Sequence, residues 1–229
     1  MHKYYSTLED FEMKKIKLFG VLSLALLTFT ACGSEKNDDP TNTTEAKTAS
    51  KTKKTTKEKK DTNLLINNSE FKKLADNTVD SEETKVVAQK DYSLDFTDDS
   101  WTEMKVKVDK VSILKVDDFE DFSGNKPEGF IILHLSLFDL TRDVTAYPQQ
   151  GTILTSDGEQ TDGSYSLDAW DGDLMKGAKK EGYAAYELKK LDNVESVKNI
   201  RFTFNANYDT DDFDDNNAFH DYDMTIDLK

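Results

Sequence analysis

Hydropathy divides the chain into three regimes. Large apolar residues crowd between Leu18 and Phe29, are absent from Gly33 to Asp61, and return in alternation with polar residues from Trp101 to the end. In that last regime Met104, Val106 and Val108 alternate with Lys105, Lys107 and Asp109, the period of two that marks a strand with one face buried. The phase shifts at Val111 and Ile113, which predicts a bulge or a bend. Ile131 to Phe138 is almost continuously apolar, as a central strand would be. Thr152 to Thr155 precedes the turn Ser156-Asp157-Gly158, and Tyr183 to Leu188 follows a turn centred on Gly182. Ile200, Phe202 and Phe204 alternate with polar neighbours, and Tyr222, Met224, Ile226 and Leu228 repeat the pattern. At least six short strands with Asp, Gly and Asn turns and little helix predict an all-β sandwich over residues 91–229.

Residues 63–90 lack that alternation. Asn68 or Ser69 is placed to cap a short helix through Glu70 and Leu74, with Phe71, Leu74 and Ala75 on one side. The pattern leaves open whether this transitional segment packs on the sandwich or is free of it.

The first apolar run is too short for a spanning helix, which needs about 20 residues, and Ser23, Thr28 and Thr30 interrupt it. Lys14, Lys15 and Lys17 precede it, and Thr30-Ala31-Cys32-Gly33 follows. Residues 1–31 therefore read as a secretory signal peptide, with Met13 as its start, since Glu9, Asp10 and Glu12 do not suit a basic leading region. The pattern resembles a bacterial lipoprotein signal, although Phe29 stands where Leu is commoner. That resemblance implies that Cys32 becomes the lipidated (palmitate-type) mature N-terminus, on the outside of a Gram-positive cell membrane. Each buried methylene contributes about 0.8 kcal/mol, so the two or three acyl chains the resemblance implies make the anchor effectively permanent.

Composition adds the next constraint. The segment 32–62 is Asn, Asp, Thr, Ser and Lys with one proline, and is expected to be a disordered linker with a reach on the order of 30 Å. Its basic cluster from Lys51 to Lys60 reads as a solvated spacer that is also able to touch anionic lipid or wall polymer. The whole chain of 229 residues carries a formal charge of -15, and lysines slightly outnumber acids in the linker, so the folded part is the acidic part. An acidic domain repels nucleic acid, which is excluded as a partner. Cys32 is the only cysteine, so no disulfide forms within the chain.

Several strand and turn segments share a further likeness. They are Val106 to Val111, Gly129 to Leu137, Leu154 to Gly158, Gly177, Glu181 to Leu188 and Asn199 to Phe204. Together they resemble the immunoglobulin-like, telokin-like domain of Gram-positive surface lipoproteins, a family without an assigned function. The resemblance implies an immunoglobulin-like β-sandwich on a lipid anchor and supplies no catalytic residues. The long acidic loop before the last strand departs from it.

The search for chemistry returns little. His2 lies before the start at Met13, His134 sits inside an apolar strand, and His220 stands beside Asp221 and Asp223 without a nucleophile in sequence. Gly163-Ser164-Tyr165 is not a nucleophile elbow. No phosphate loop and no Cys/His metal spacing occur, so neither catalysis nor a cofactor is expected. The loop Tyr208 to Asn217 holds Asp209, Asp211, Asp212, Asp214 and Asp215. Of these, Asp209, Asp211 and Asp214 are the weak candidates for a calcium ion, but no Gly marks the turn and no Glu closes it, so the loop reads as solvated. The expected function is a non-catalytic, surface-displayed binding module whose partner is a protein or a wall polymer, met by loop aromatics among Trp170, Tyr147 and Tyr165. The alternative is an envelope accessory protein that assists wall assembly, secretion or sensing.

Overall fold

The computed structural model describes residues 63–229. The signal peptide, Cys32 and the linker lie outside those residues. Ten strands follow in order: β1 (Lys85–Asp98), β2 (Lys105–Asp117), β3 (Gly129–Phe138), β4 (Val144–Ala146), β5 (Thr152–Thr155), β6 (Gln160–Ser164), β7 (Gly172–Leu174), β8 (Lys180–Leu188), β9 (Asn199–Asn207) and β10 (Phe219–Asp227). Among the described residues, helical structure is confined to short 3-10 turns at Leu65–Asn67, Lys72–Asn77 and Pro148–Gln150. Among the described residues no helix is long and apolar enough to cross a membrane.

All strand pairings are antiparallel, and they build an all-β sandwich. The first layer runs β1-β2-β3-β8, and the second holds β5, β9, β4 and β7 with β10 on the other side of β9. The short β6 joins them: Gln160–Asp162 pairs with β5, and Gly163 and Ser164 pair with Tyr186 and Ala185 of β8. Between the layers lie Val106, Val108, Val111 and Ile113 of β2 and alternate residues of β3 from Ile131 to Leu137. Ile200, Phe202, Phe204 and Ala206 of β9 meet them from the other side, with Tyr222, Met224 and Ile226 of β10.

The phase shift expected in β2 is a bulge. Val108 pairs with Leu135 but Lys110 with His134, which leaves Asp109 as the extra residue. The near-continuous apolar run of β3 also has a physical cause. Its odd-numbered residues face the inter-layer core, while Phe130 and Ile132 face outward into a second core with Leu114, Val116 and Phe119. Residues 63–84 cover that outer face and supply Leu65, Phe71 and Leu74, all fully buried. Each such burial is worth about 1.5–3 kcal/mol.

Two expectations are corrected here. Strand structure begins at Lys85 rather than at Trp101, because β1 pairs along its length with β2. The helix expected through Glu70 to Leu74 is instead a turn leading into the 3-10 segment Lys72–Asn77. Asn68 caps that preceding turn instead of a helix: its Oδ1 accepts from the backbone N–H of Glu70 at 3.0 Å and of Phe71 at 2.8 Å, while the 3-10 segment starts after Phe71 without a side-chain cap. The segment, left open in sequence, is packed on the sandwich. Glu70 receives Lys110 Nζ at 2.6 Å and the Tyr183 hydroxyl at 2.8 Å, and Lys73 pairs with Asp168.

Candidate functional site

The outer face of the second layer carries a groove, and local chain geometry creates it. Along β9, Arg201, Thr203 and Asn205 point away from the core. Both β4 and β5 pair with β9, β4 at Ala206 and Asn207 and β5 from Ile200 to Thr203. The residues between them lift off the sheet as the 3-10 turn Pro148–Gln150, whose proline at its start pre-sets the backbone. The turn raises Tyr147 and Gln150 as one wall, and Asp221 and Asp223 of β10 form the other. The depression between them measures about 460 Å³. A second, of about 260 Å³, shares Thr152 and Thr203 with it and continues to Leu154, Gln160 and Arg201.

Gly151 permits the wall to stand so close. A Cβ there would fall 2.6 Å from both Phe202 Cε2 and the Thr203 carbonyl oxygen, so any larger residue lifts the turn. The Gly151 carbonyl in turn accepts from Gly163 N–H at 2.8 Å.

The wall is held from beneath by a buried amide. Gln149 is fully buried; its Nε2 donates to the carbonyls of Asp168 at 2.9 Å and Tyr183 at 3.0 Å, and its Oε1 accepts from Trp170 N–H at 3.0 Å. Its backbone N–H donates to Asp171 Oδ2 at 3.0 Å. The neighbouring Gln150 donates from Nε2 to the Tyr165 hydroxyl at 2.7 Å, which lies 3.3 Å from Asp171 Oδ1. Burial raises the Asp171 carboxyl above its ordinary value, against the hydrogen bonds from Gln149 and Tyr165. Burial also raises the Tyr165 hydroxyl, with the charge of Asp171 second. A satisfied polar network of this kind fixes the turn in one geometry.

The three aromatics singled out in sequence divide accordingly. Tyr147 is 37% exposed and lines the groove; Tyr165 is 49% exposed and is bound through its hydroxyl to Gln150. Trp170 is half-buried against the core, with its Nε1 donating to the Tyr183 carbonyl at 2.9 Å. It lies flat where Gly182 leaves room, since a Cβ there would meet the indole at 2.4 Å. Trp170 thus supports the site and Tyr147 lines it. Gln149 carried no signal in sequence; it stands in Pro148-Gln-Gln-Gly151, where nothing separates it from the exposed Gln150.

The histidines are engaged otherwise. His134 Nδ1 lies 2.6 Å from Asp109 Oδ1, the bulge residue, and the ring leans on Tyr183. His220 Nε2 lies 3.0 Å from Ser100 Oγ, but that hydroxyl gives its proton to Asp98 Oδ1 at 2.5 Å. The imidazole therefore donates to the serine instead of receiving from it, the reverse of nucleophile activation. Burial lowers the His220 pKa, against the charges of Asp98 and Asp221.

The acidic loop is anchored at both ends. Trp101 lies parallel to Tyr208 and to His220, and its Nε1 donates to the Asn217 carbonyl at 3.0 Å. Within the loop, carboxylates cap backbone N–H groups: Asp212 receives Asp214 N–H, and Asp215 receives Asn217 N–H and the Tyr208 hydroxyl. Asp209, Asp211 and Asp214 do not converge, and among the described residues no three acidic, histidine or cysteine side chains are grouped to hold a metal ion.

No family model and no curated protein matches the chain. Solved structures do. A functionally unknown protein from Listeria monocytogenes is 12% identical, with a TM-score of 0.44 over 69% of this chain and 93% of that one. A conserved hypothetical protein from Bacillus anthracis is 14% identical, with a TM-score of 0.37 over 61% of this chain and 98% of that one. A candidate lipoprotein from Bacillus subtilis is 12% identical, with a TM-score of 0.26; the match covers 63% of this chain and 36% of that one.

Proposed function

We propose that the chain is a non-catalytic binding module, displayed outside the cell on a lipid at Cys32, that takes its ligand in the groove beneath Tyr147. The observation that carries the reading is the pairing of an exposed tyrosine in the groove wall with the buried Gln149 amide that fixes the turn next to it. An aromatic side chain with few rotatable bonds, carried beside a fixed turn, loses little freedom on contact, so more of its contact energy survives as affinity. The Ser100–His220 pair has its hydrogen bonds directed against nucleophile activation, which favours binding over catalysis. The anchor rests on the run Leu18 to Phe29 followed by Thr30-Ala31-Cys32-Gly33.

Pull-down from intact cells with the full-length chain tests the reading, compared with Tyr147→Ala and with Phe213→Ala in the acidic loop as a control. Wall or surface components that disappear with Tyr147→Ala and persist with Phe213→Ala support it. Recovery of membrane machinery instead, indifferent to Tyr147, would favour an envelope accessory role. A fatty-acid probe that labels the wild-type chain and not Cys32→Ser checks the anchor.

A further inference from the structure

We infer that the groove takes a neutral, polyhydroxylated chain, an extended oligosaccharide segment. This rests on the groove being the ligand site, and it follows from which hydrogen-bonding groups face it. A sugar hydroxyl donates once and accepts twice, so a complementary surface sets donors and acceptors side by side. Arg201 and Asp223 do so as a two-point pair, joined Nε to Oδ1 at 2.7 Å and Nη2 to Oδ2 at 2.5 Å. Two of the five guanidinium N–H groups are used in that pair, and the others are left to donate. Asp221 supplies a second carboxylate acceptor, and Asn205 an amide that both donates and accepts. The Tyr147 ring offers the apolar face that the C–H side of a sugar ring requires. The two adjoining depressions, which share Thr152 and Thr203, suit a ligand longer than one ring.

Other ligand chemistries fit less well. A polyanion needs an unspent cation, but Arg201 is already neutralised by Asp223, and Asp221 repels phosphate. A basic peptide would find a denser run of carboxylates at 209–215, outside the groove. An apolar peptide would find only Tyr147 and Leu154 as large exposed apolar side chains along the two depressions.

The test is a titration of the isotope-labelled full-length chain, in a detergent without a sugar headgroup, read at the Asn205 side-chain amide. The probes are soluble tetramers of β-1,4-linked N-acetylglucosamine and of β-1,4-linked glucose, with poly(glycerol phosphate) and oligolysine as charged counterparts. A saturable shift with at least one neutral tetramer is expected, weakened about ten-fold or more by Tyr147→Ala, roughly 1.4 kcal/mol, and unchanged by Phe213→Ala. Asp221→Asn should also weaken it. A shift at Asn205 with a charged probe and neither tetramer would overturn the sugar assignment and leave the groove standing as the binding site. No shift with any probe would overturn it as well. If, in addition, Tyr147→Ala left the pull-down from cells unaltered, the binding-site reading would fall too.

Discussion

The guanidinium carbon of Arg142 lies 3.8 Å from the centre of the Tyr208 ring. The same side chain donates from Nε to Glu103 at 3.1 Å, a carboxylate 11% exposed that also accepts from Thr141 and from Asn217. One arginine thus ties the start of the acidic loop, through Tyr208, to the residue that binds the loop's end at Asn217. A stacked cation is worth about 0.5–1 kcal/mol at a part-exposed site, and leaving Glu103 short of a partner adds about 1–3 kcal/mol.

Arg142→Ala is therefore expected to lower stability by about 1.5–4 kcal/mol and to open residues 209–216 to cleavage at aspartate. Denaturant melts and timed proteolysis check both. Arg142→Lys should fall between wild type and Ala, since it keeps the charge and loses the planar face. A loop no more labile in Arg142→Ala than in wild type would remove the arginine from this role.

The cover of the first layer predicts a larger effect. Phe71→Ala or Leu74→Ala should each cost about 2–5 kcal/mol, the range for deleting fully buried side chains. The protease-resistant fragment of the wild type should retain residues 63–84. A resistant fragment that begins near Lys90, with unchanged melting, would show that the cover contributes nothing to the fold.

Burial holds the Glu187 carboxyl above the ordinary glutamate value of 4.5, with Asp121 adding to the shift. A carboxyl harder to ionise in the fold than in the open chain costs stability as pH rises from 4.5 through the raised value, and the cost is complete above it. Glu187→Gln should accordingly raise the melting temperature at neutral pH, with no such gain below 4.5. An equal gain at both pH values would assign the effect to packing.

Calcium supplies the fourth check. At matched ionic strength, calcium, magnesium and sodium salts should shift the melting temperature alike, since screening does not depend on the ion's coordination chemistry. The response should be the same in Asp211→Asn combined with Asp214→Asn. A calcium-specific gain lost in that double variant would establish a metal site in the acidic loop.

The sequence pattern reveals strands whose burial is one-sided and local, and hides those that exist through their neighbours. β5, β9 and β10 are plain because each alternates cleanly between core and solvent. β1 has Tyr92, Leu94 and Phe96 in alternation, but register shifts between Val86 and Ala88 and between Ser93 and Phe96 break the period, and of its residues only Tyr92 is buried. β6 and β7 are Gln-Thr-Asp-Gly-Ser and Gly-Asp-Leu, strands only because β5, β8 and β4 pair with them. At the site, Tyr147 was legible as a loop aromatic. The role of Gln149 was not, because its partners Asp168, Trp170 and Tyr183 lie 19 to 34 positions away.

A sandwich has two outsides, and this one spends them differently. Residues 63–84 are plastered over the back of the first layer, at Leu114, Phe119 and Phe130, while the groove opens on the far side of the second. The first described residues therefore enter the fold at the β1 edge, where Leu64 pairs with Lys85 and the Asn63 carbonyl accepts from Val86 N–H, in the layer that does not carry the groove.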